Sequence, residues 1–489
     1  MNEVPYARML AYWAERLPEG APAIFHEEEQ ISWWELEART NRLARTYRRL
    51  GVKPSDFVMI ALPNGIEFFA AAFATWKLGA TPLPISAQVP KRERDRIVAL
   101  ADPALVVGVS EDDHSGRATV PPGFEPDDCS DEPLELVIST SYKAMTSGGS
   151  TGQPKLIVAT TPAVWDVDND FLQFRQGGSV LVPGPLYHTG PFTWATLGLF
   201  KGNRLTVTTR FDAENTLALI ERQRVTNIYT VPTMMHRIWN LPPSVRNAYD
   251  LSSLEALWHV AAPCPVWLKE AYIEWLGPDV IWELYGGTEA LGTALISGRE
   301  WLEHRGSVGK PRPTCKMKIV DEAGRELPPN KVGEVFIQPV GGTGSTYRYV
   351  GAEAKVRDGG WETLGDMGYM DADGYLYLTD RQMDMILSGG ANVYPAEVES
   401  AIESFPGIRS CAVIGLPHED LGNMVHAIID APGGDVTEQA LLAHLAEHLA
   451  RYKIPRSIEF VDEPLRDDAG KTRRHALRDA RVATSAKPS

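Results

Sequence analysis

Short apolar runs of strand length recur through the first part of this 489-residue chain, and stretches with helical periodicity separate them. Runs at 58–62 and 105–109 flank an apolar stretch at 66–78 that reads as a helix, and strand-like pieces at 23–25 and 31–33 precede a helix expected from Trp34. Alternation of this kind argues for parallel sheets with helices on their faces. Between 306 and 377 the pattern shifts to short strands with glycine-containing turns, a β-rich subdomain. The stretch 111–133, rich in Asp, Pro and Gly, reads as a solvated loop. The last hundred residues look self-contained. Pro395 suits a first helical turn, with Val398, Ile402 and Phe405 on one face and a stop before Pro406. A strand follows at 411–414, then a second helix with Thr437 as N-cap and Leu441, Leu442, Leu445 and Leu449 on its buried face. The expected fold is therefore α/β. A large N-terminal unit, 1–382, combines helix-covered sheets with the β-rich part, and a small α+β unit spans 383–489.

Charge and cysteine usage narrow the partners. A formal net charge of −16 would repel a polyanion, so nucleic acid is not an expected partner. Cys129, Cys264, Cys315 and Cys411 lie far apart without metal-ligand spacing, which fits a reducing, cytoplasmic setting. The apolar run 68–76 ends at Lys77, well short of the ~20 residues of a membrane span. Residues 1–18 contain acids and no apolar core, so no secretory signal is expected, and the end at 486–489 is not a peroxisomal address.

Three signals carry chemistry. MTSGGSTGQPK at 145–155 places glycines where a backbone can approach an anion, with Ser and Thr hydroxyls among them. Its spacing is not that of a Walker loop. ELYGGTEA at 283–290 sets an aromatic face beside two glycines, followed by a hydroxyl and a carboxylate, oxygen ligands of the kind Mg²⁺ takes. Further pieces then follow in order: GSVGKP at 306–311, GEV at 333–335, ETLGDMGYMDADGYLYLTDR at 362–381, SGGANVYPAEVE at 388–399 and DDAGKTRRHAL at 467–477. A carboxylate such as Asp366 suits a ribose diol, and Arg381 can donate to ribose or phosphate oxygens. HLAEH at 444–448 matches a zinc-peptidase pattern, but its histidines flank the apolar stripe of an ordinary helix.

Taken in this order, from about 32 to 477, the pieces resemble the adenylate-forming superfamily of acyl-CoA synthetases, nonribosomal adenylation domains and luciferases. AAPCPVWLKE at 261–270, IWELYGGTEA at 281–290 and KLIVA after the first loop resemble the bile-acid and steroid-type acyl-CoA ligases of bacteria. The resemblance implies that Thr146, Ser147, Gly148, Gly149, Ser150, Thr151, Gly152 and Lys155 cradle the phosphates of ATP. It also implies that Tyr285 stacks on adenine beside Ala261, Ala262 and Pro263, with Glu283, Gly286 and Gly287 in the same strand and turn. Thr288 would touch the α-phosphate, Glu289 hold Mg²⁺, and Asp366 and Arg381 grip the ribose. Lys471 would bridge the substrate carboxylate and the α-phosphate, and His188 would lie at the carboxylate end of the acyl pocket. Ser388, Gly389 and Gly390 would face the arm of coenzyme A. Relatives usually carry Asp or Lys at the hinge two residues after the ribose-binding arginine; here it is Met383.

The implied reaction is ATP-dependent activation of a carboxylic acid as acyl-AMP, then transfer to CoA, or alternatively to a carrier-protein thiol or no further. Lys471, Glu289, Thr288 and His188 are the catalytic candidates, and ATP, Mg²⁺ and CoA the expected cofactors. The segment 186–192 has no acid to pair an ammonium group, which argues against an amino-acid substrate. Gly190, Gly286 and Gly287 are expected to leave room for a bulky, largely apolar acid. Oligomeric state is not legible in the sequence.

Overall fold

A computed structural model describes residues 2–110, 112, 116–126, 130–148, 154–381, 384–388, 391–419, 421–466 and 472–485. Helix starts are chemically explicit. Ser32 and Glu35 form a reciprocal capping box on Trp33–Arg49, and Thr437 accepts from the Ala440 amide to cap Glu438–His448. Pro395 occupies the first turn of Pro395–Glu403. The expected apolar face of Glu438–His448 is narrower than its leucines suggested: Leu441 and Leu445 are buried, whereas Leu442 is half-exposed.

The large α/β unit is organised by a 14-stranded sheet. Its parallel part runs through Pro22–His26, Arg204–Val207, Ser179–Val182, Asn227–Thr230, Ala256–Val260 and Ile281–Gly286. After Ile281–Gly286 pairing turns antiparallel through Thr293–Ser297 and Ser307–Pro311 into the strands between Cys315 and Arg381, the β-rich part. A second, parallel sheet holds Phe57–Ile60, Thr81–Pro84, Leu105–Val107 and Ala118–Val120. The last of these corrects the reading of 111–133 as loop throughout. Ala118–Val120 has only three residues, too few to show periodicity, and is specified by pairing with Leu105–Val107.

Helix Ile66–Lys77 is apolar nearly all round and is buried along its length. It carries an aromatic cluster in which Phe73, Trp76, Phe192 and Phe200 meet edge to face or tilted. The small α+β unit has its own five-stranded sheet and its own core, around Val393, Val398, Ile402, Cys411, Val425 and Leu445. Leu376–Arg381 belongs to the large sheet and Ile386–Ser388 to the small one. The proposed division between 382 and 383 falls between them, and both residues lie outside the described ones. Among the described residues no helix is long and apolar enough to cross a membrane.

Candidate active site

The strand Ala144–Gly148 leads into the glycine-rich loop, and Pro154–Ala159 returns antiparallel to it with Lys155 opposite Ser147. Tyr347–Val350 pairs with the outer side of Pro154–Ala159, Tyr347 opposite Ala159 and Tyr349 opposite Ile157. Side chains alternate across strands, so Lys143, Met145, Lys155, Ile157, Tyr347 and Tyr349 share one face. That face meets Glu289. Tyr349 donates its hydroxyl to Glu289 Oε1 at 2.7 Å. Lys155 Nζ stands 3.9 Å from the same oxygen and 3.9 Å from the centre of the Tyr349 ring. Burial, and then the charge of Glu289, push the Tyr349 hydroxyl upward in pKa, which keeps it a donor. Lys143 is almost fully buried; desolvation pushes its ammonium down to about 7 while Glu289 acts to hold it up. Of the phosphate-loop candidates, Thr146 is half-buried, and Ser147 and Gly148 are placed by their backbone. Gly149, Ser150, Thr151 and Gly152 lie outside the described residues.

Tyr285 closes the strand Ile281–Gly286 and donates its hydroxyl to Asp366 Oδ2 at 2.7 Å. Asp366 is in register with Arg381, which is placed by its backbone. The adenine and ribose candidates thus converge although 81 residues separate Tyr285 from Asp366. Thr189 donates to Thr288 at 3.1 Å. Thr189 opens the helix Thr189–Phe200, whose N-cap is His188, so this contact brings the His188 segment to the turn after Tyr285. A Cβ on Gly287 would lie 3.1 Å from Glu289 Oε2 and 2.7 Å from Leu364, so a side chain there would crowd that oxygen. One carboxylate oxygen held by Tyr349, the other beside Gly287, and the nearby Thr288 hydroxyl form a donor set that fits Mg²⁺. Ala261 has φ +73°, the left-handed region, which costs a residue with a Cβ about 1–2 kcal/mol. Ala262 and Pro263 follow it and border a cleft with His236, Glu403, Arg409 and Arg466, the last three from the small unit.

Other candidates sit elsewhere. Glu283 is buried with its carboxylate 2.6 Å from Lys269 Nζ and 3.7 Å from His259 Nε2. Its side chain therefore ties strand to helix rather than facing a ligand. The expectation that three glycines add pocket volume is overturned. A Cβ at Gly190 would meet the Tyr229 hydroxyl at 2.5 Å, at Gly286 the Thr293 methyl at 3.0 Å, and at Gly287 Leu364. The space beside each is already filled by a neighbouring side chain. Ser388 ends the strand Ile386–Ser388 of the small sheet, and Gly389 and Gly390 lie outside the described residues.

Lys471 also lies outside them. On either side of it, Arg466 and Arg474 both bind Glu399, at 2.9 and 2.7 Å. His444 shares a 2.8 Å hydrogen bond with Ser404, and His448 is 2.8 Å from the His444 carbonyl. Sequence reading missed Tyr349, Thr189 and Lys143. Thr189 and Tyr349 carry no local signal, whereas a lysine just ahead of Ala144 and Met145 and the glycine-rich segment was a legible one.

A family model described as AMP-binding enzyme matches residues 10–347, and one described as AMP-binding enzyme C-terminal domain matches 397–471. A feruloyl-CoA synthase from Amycolatopsis sp is 33% identical over 472 residues, covering 93% of this chain and 95% of that protein. A fatty acid–[acyl-carrier-protein] ligase from Streptomyces coeruleorubidus is 28% identical over 490 residues, covering 94% and 93%. The solved structure of o-succinylbenzoate CoA synthetase from Bacillus subtilis with its acyl-adenylate superposes with TM-score 0.82 at 26% identity, covering 98% of this chain and 99% of that one. The same synthetase with ATP and magnesium ion gives a TM-score of 0.80 at 26% identity, covering 98% and 100%.

Proposed function

This chain belongs to the AMP-binding enzyme family and is an ATP-dependent acid–CoA ligase that forms an acyl-AMP intermediate, and from that premise we propose which acid it takes and which residues do the work. ATP, Mg²⁺ and CoA are its cofactors. The acid is bulky and largely apolar, an aryl, polycyclic or steroid side-chain acid. Two things support this reading: the segments 261–270 and 281–290, which resemble the bile-acid and steroid-type ligases, and relatives whose names carry the feruloyl and o-succinylbenzoyl groups, both aryl. Burial of such an acid contributes roughly 25 cal/mol per Å² of apolar surface. A cytoplasmic setting belongs to the same proposal.

The observation that carries the residue assignment is the contact of Glu289 with Tyr349 and Lys155 on the sheet that bears the phosphate loop. A carboxylate attacking the α-phosphorus of ATP needs charge neutralisation and alignment more than acid–base help. Mg²⁺, when bound, supplies part of that neutralisation. Glu289 with Thr288 would hold it, Tyr349 orients Glu289, and Lys155 adds positive charge at the loop. Tyr285 presents its ring to adenine while its hydroxyl orients Asp366 toward the ribose. Lys471 draws the acid's carboxylate and the α-phosphate together. In the second half-reaction the small unit rotates, Lys471 withdraws, and Ser388, Gly389 and Gly390 guide the CoA thiol to the acyl carbon, releasing AMP.

The test is acid-dependent pyrophosphate release over a panel of aryl, polycyclic, steroid and short-chain acids, with and without CoA. A bulky apolar acid should give the highest specificity constant and yield its CoA thioester. Acetate outperforming every bulky acid would sink the substrate assignment. Glu289→Gln with undiminished ATP affinity would sink the metal-side assignment.

A further inference from the structure

The glycine-rich loop accounts for Lys155, but not for a second lysine in the same sheet. Lys143 lies one residue before the strand Ala144–Gly148 and is 3% exposed. Its carbonyl accepts the Ala159 amide at 3.0 Å, which continues the ladder and puts Lys143 in one row with Ala159 and Tyr347. The next rows hold Met145, Ile157 and Tyr349, then Ser147 and Lys155. Lys143 therefore projects from the same face as Tyr349 and Lys155. Its Nζ lies 5.3 Å from the Tyr142 ring centre, an aromatic face that favours the charged ammonium. Among the described residues the charge that acts on it is that of Glu289.

A buried lysine costs several kcal/mol unless an anion compensates it. An apolar residue would suit a position followed by Ala144 and Met145, both fully buried, and would avoid that cost. The lysine lies deeper in the protein than Lys155, which is 23% exposed in its side chain, so it is the less accessible to a nucleotide. Its effect is accordingly exerted through Glu289.

We infer that Lys143 is a positioning residue for adenylation: from inside the sheet its ammonium holds the Glu289 carboxylate toward the phosphate loop. Tyr349 and Lys155 meet Oε1 from the sheet face, and Lys143 supplies the charge behind them. The inference rests on the assignment of Glu289 to the phosphate side of the site. It makes the strand before the loop, and not the loop alone, part of what sets affinity for ATP.

The experiment uses the full-length chain with Lys143→Met, Lys143→Arg, Glu289→Gln and the Lys143→Met/Glu289→Gln double variant. ATP affinity is measured by titration calorimetry with Mg²⁺ and with EDTA, alongside acid-dependent pyrophosphate release and thioester formation from supplied acyl-AMP and CoA. Lys143→Met should weaken ATP binding in the presence of Mg²⁺ and slow pyrophosphate release at least tenfold, while thioester formation from acyl-AMP stays within twofold. In the Glu289→Gln background the same substitution should add little, because the residue it acts through is already changed. Lys143→Arg, which keeps the charge, should retain ATP affinity within about threefold.

Parallel loss of both half-reactions in Lys143→Met would show a merely structural role and overturn the inference. So would an unchanged ATP affinity, full additivity in the double variant, or an arginine variant as damaged as the methionine one. Should Lys143→Met fail to fold, a normal Lys143→Arg would uphold the need for charge, and an impaired one would overturn it. If Glu289→Gln itself leaves ATP affinity intact, the metal-side assignment fails first, and that outcome is separable because it does not involve Lys143.

Discussion

At the residue scale, single side chains are asked to do one thing each. Lys471→Ala should cripple adenylation while leaving the fold intact. Loss of one transition-state charge contact costs about 3–4 kcal/mol, or roughly two to three decades in rate. Wild-type rates of acid-dependent pyrophosphate release would show that Lys471 has no such role. Gly190 makes a different point. Glycine-to-alanine inside a helix normally stabilises by about 1 kcal/mol, but here the new methyl would meet the Tyr229 hydroxyl at 2.5 Å. Overpacking of this kind costs about 1–3 kcal/mol, so Gly190→Ala should lower the denaturation midpoint. Tyr229→Phe removes the nearest atom and should recover part of the loss in the double variant. A glycine between a threonine and a proline at a helix start looked like spare room in the sequence, and the structure shows it to be packed.

At the element scale, one buried row across the sheet is set to respond to pH. His259 on Ala256–Val260 is opposite Thr230 on one side and Glu283 on the other. It is fully buried, and neither ring nitrogen has a hydrogen-bond partner among the described residues. Burial, then the charge of Lys269, hold its pKa well below the ordinary histidine value of about 6.5. The folded chain thus keeps this ring neutral where the unfolded chain would protonate it. Its contribution to stability is complete above about pH 6.5 and is lost as pH falls below that value, by about 1.4 kcal/mol per pH unit. Chemical denaturation at a series of pH values should show this slope, and His259→Gln should reduce it by about one proton's share. An unchanged slope in the variant would place the titration elsewhere, His236 and His426 being the other histidines that burial holds down. Elements of this kind were half legible. The register of Ala256–Val260 against Glu283 is set by the neighbouring strand and not by anything local.

At the scale of the whole molecule, the proposed mechanism asks the small unit to take two positions relative to the large one. Met383, at the proposed hinge, must change its backbone dihedrals while its side chain does nothing essential. An unbranched methionine can move between environments with little conflict. Proline would hold φ near −65° and remove a donor. Met383→Pro should therefore spare acyl-AMP formation and suppress thioester formation. The readout is paired: pyrophosphate release without CoA, and acyl-CoA appearance from preformed acyl-AMP. Equal loss of both would mean that the fold is damaged. Unchanged thioester formation would mean that the hinge lies elsewhere. Wild-type protein that makes acyl-AMP but no acyl-CoA would favour a carrier-protein acceptor, the function named for the Streptomyces coeruleorubidus relative.

The order of glycine-rich, aromatic and acidic pieces along the chain carried the resemblance to the family and implied its cofactors, and the alternation of strand-length and helical runs carried the α/β plan. Each piece is short and local, and its chemistry survives in the sequence. Helix ends at Pro395 and Thr437 were legible in part for the same reason, because a first-turn proline or a capping hydroxyl acts within a few residues. The tertiary structure decided what those pieces touch. Tyr349 reaches Glu289 over 60 residues, Thr189 reaches Thr288 over 99, and Lys143 shares a face with both Lys155 and Tyr349 only because three strands stack in one register. Contacts of that span depend on packing the whole domain. A composition or a spacing can name the carboxylate, but only the fold supplies the groups that hold it in place.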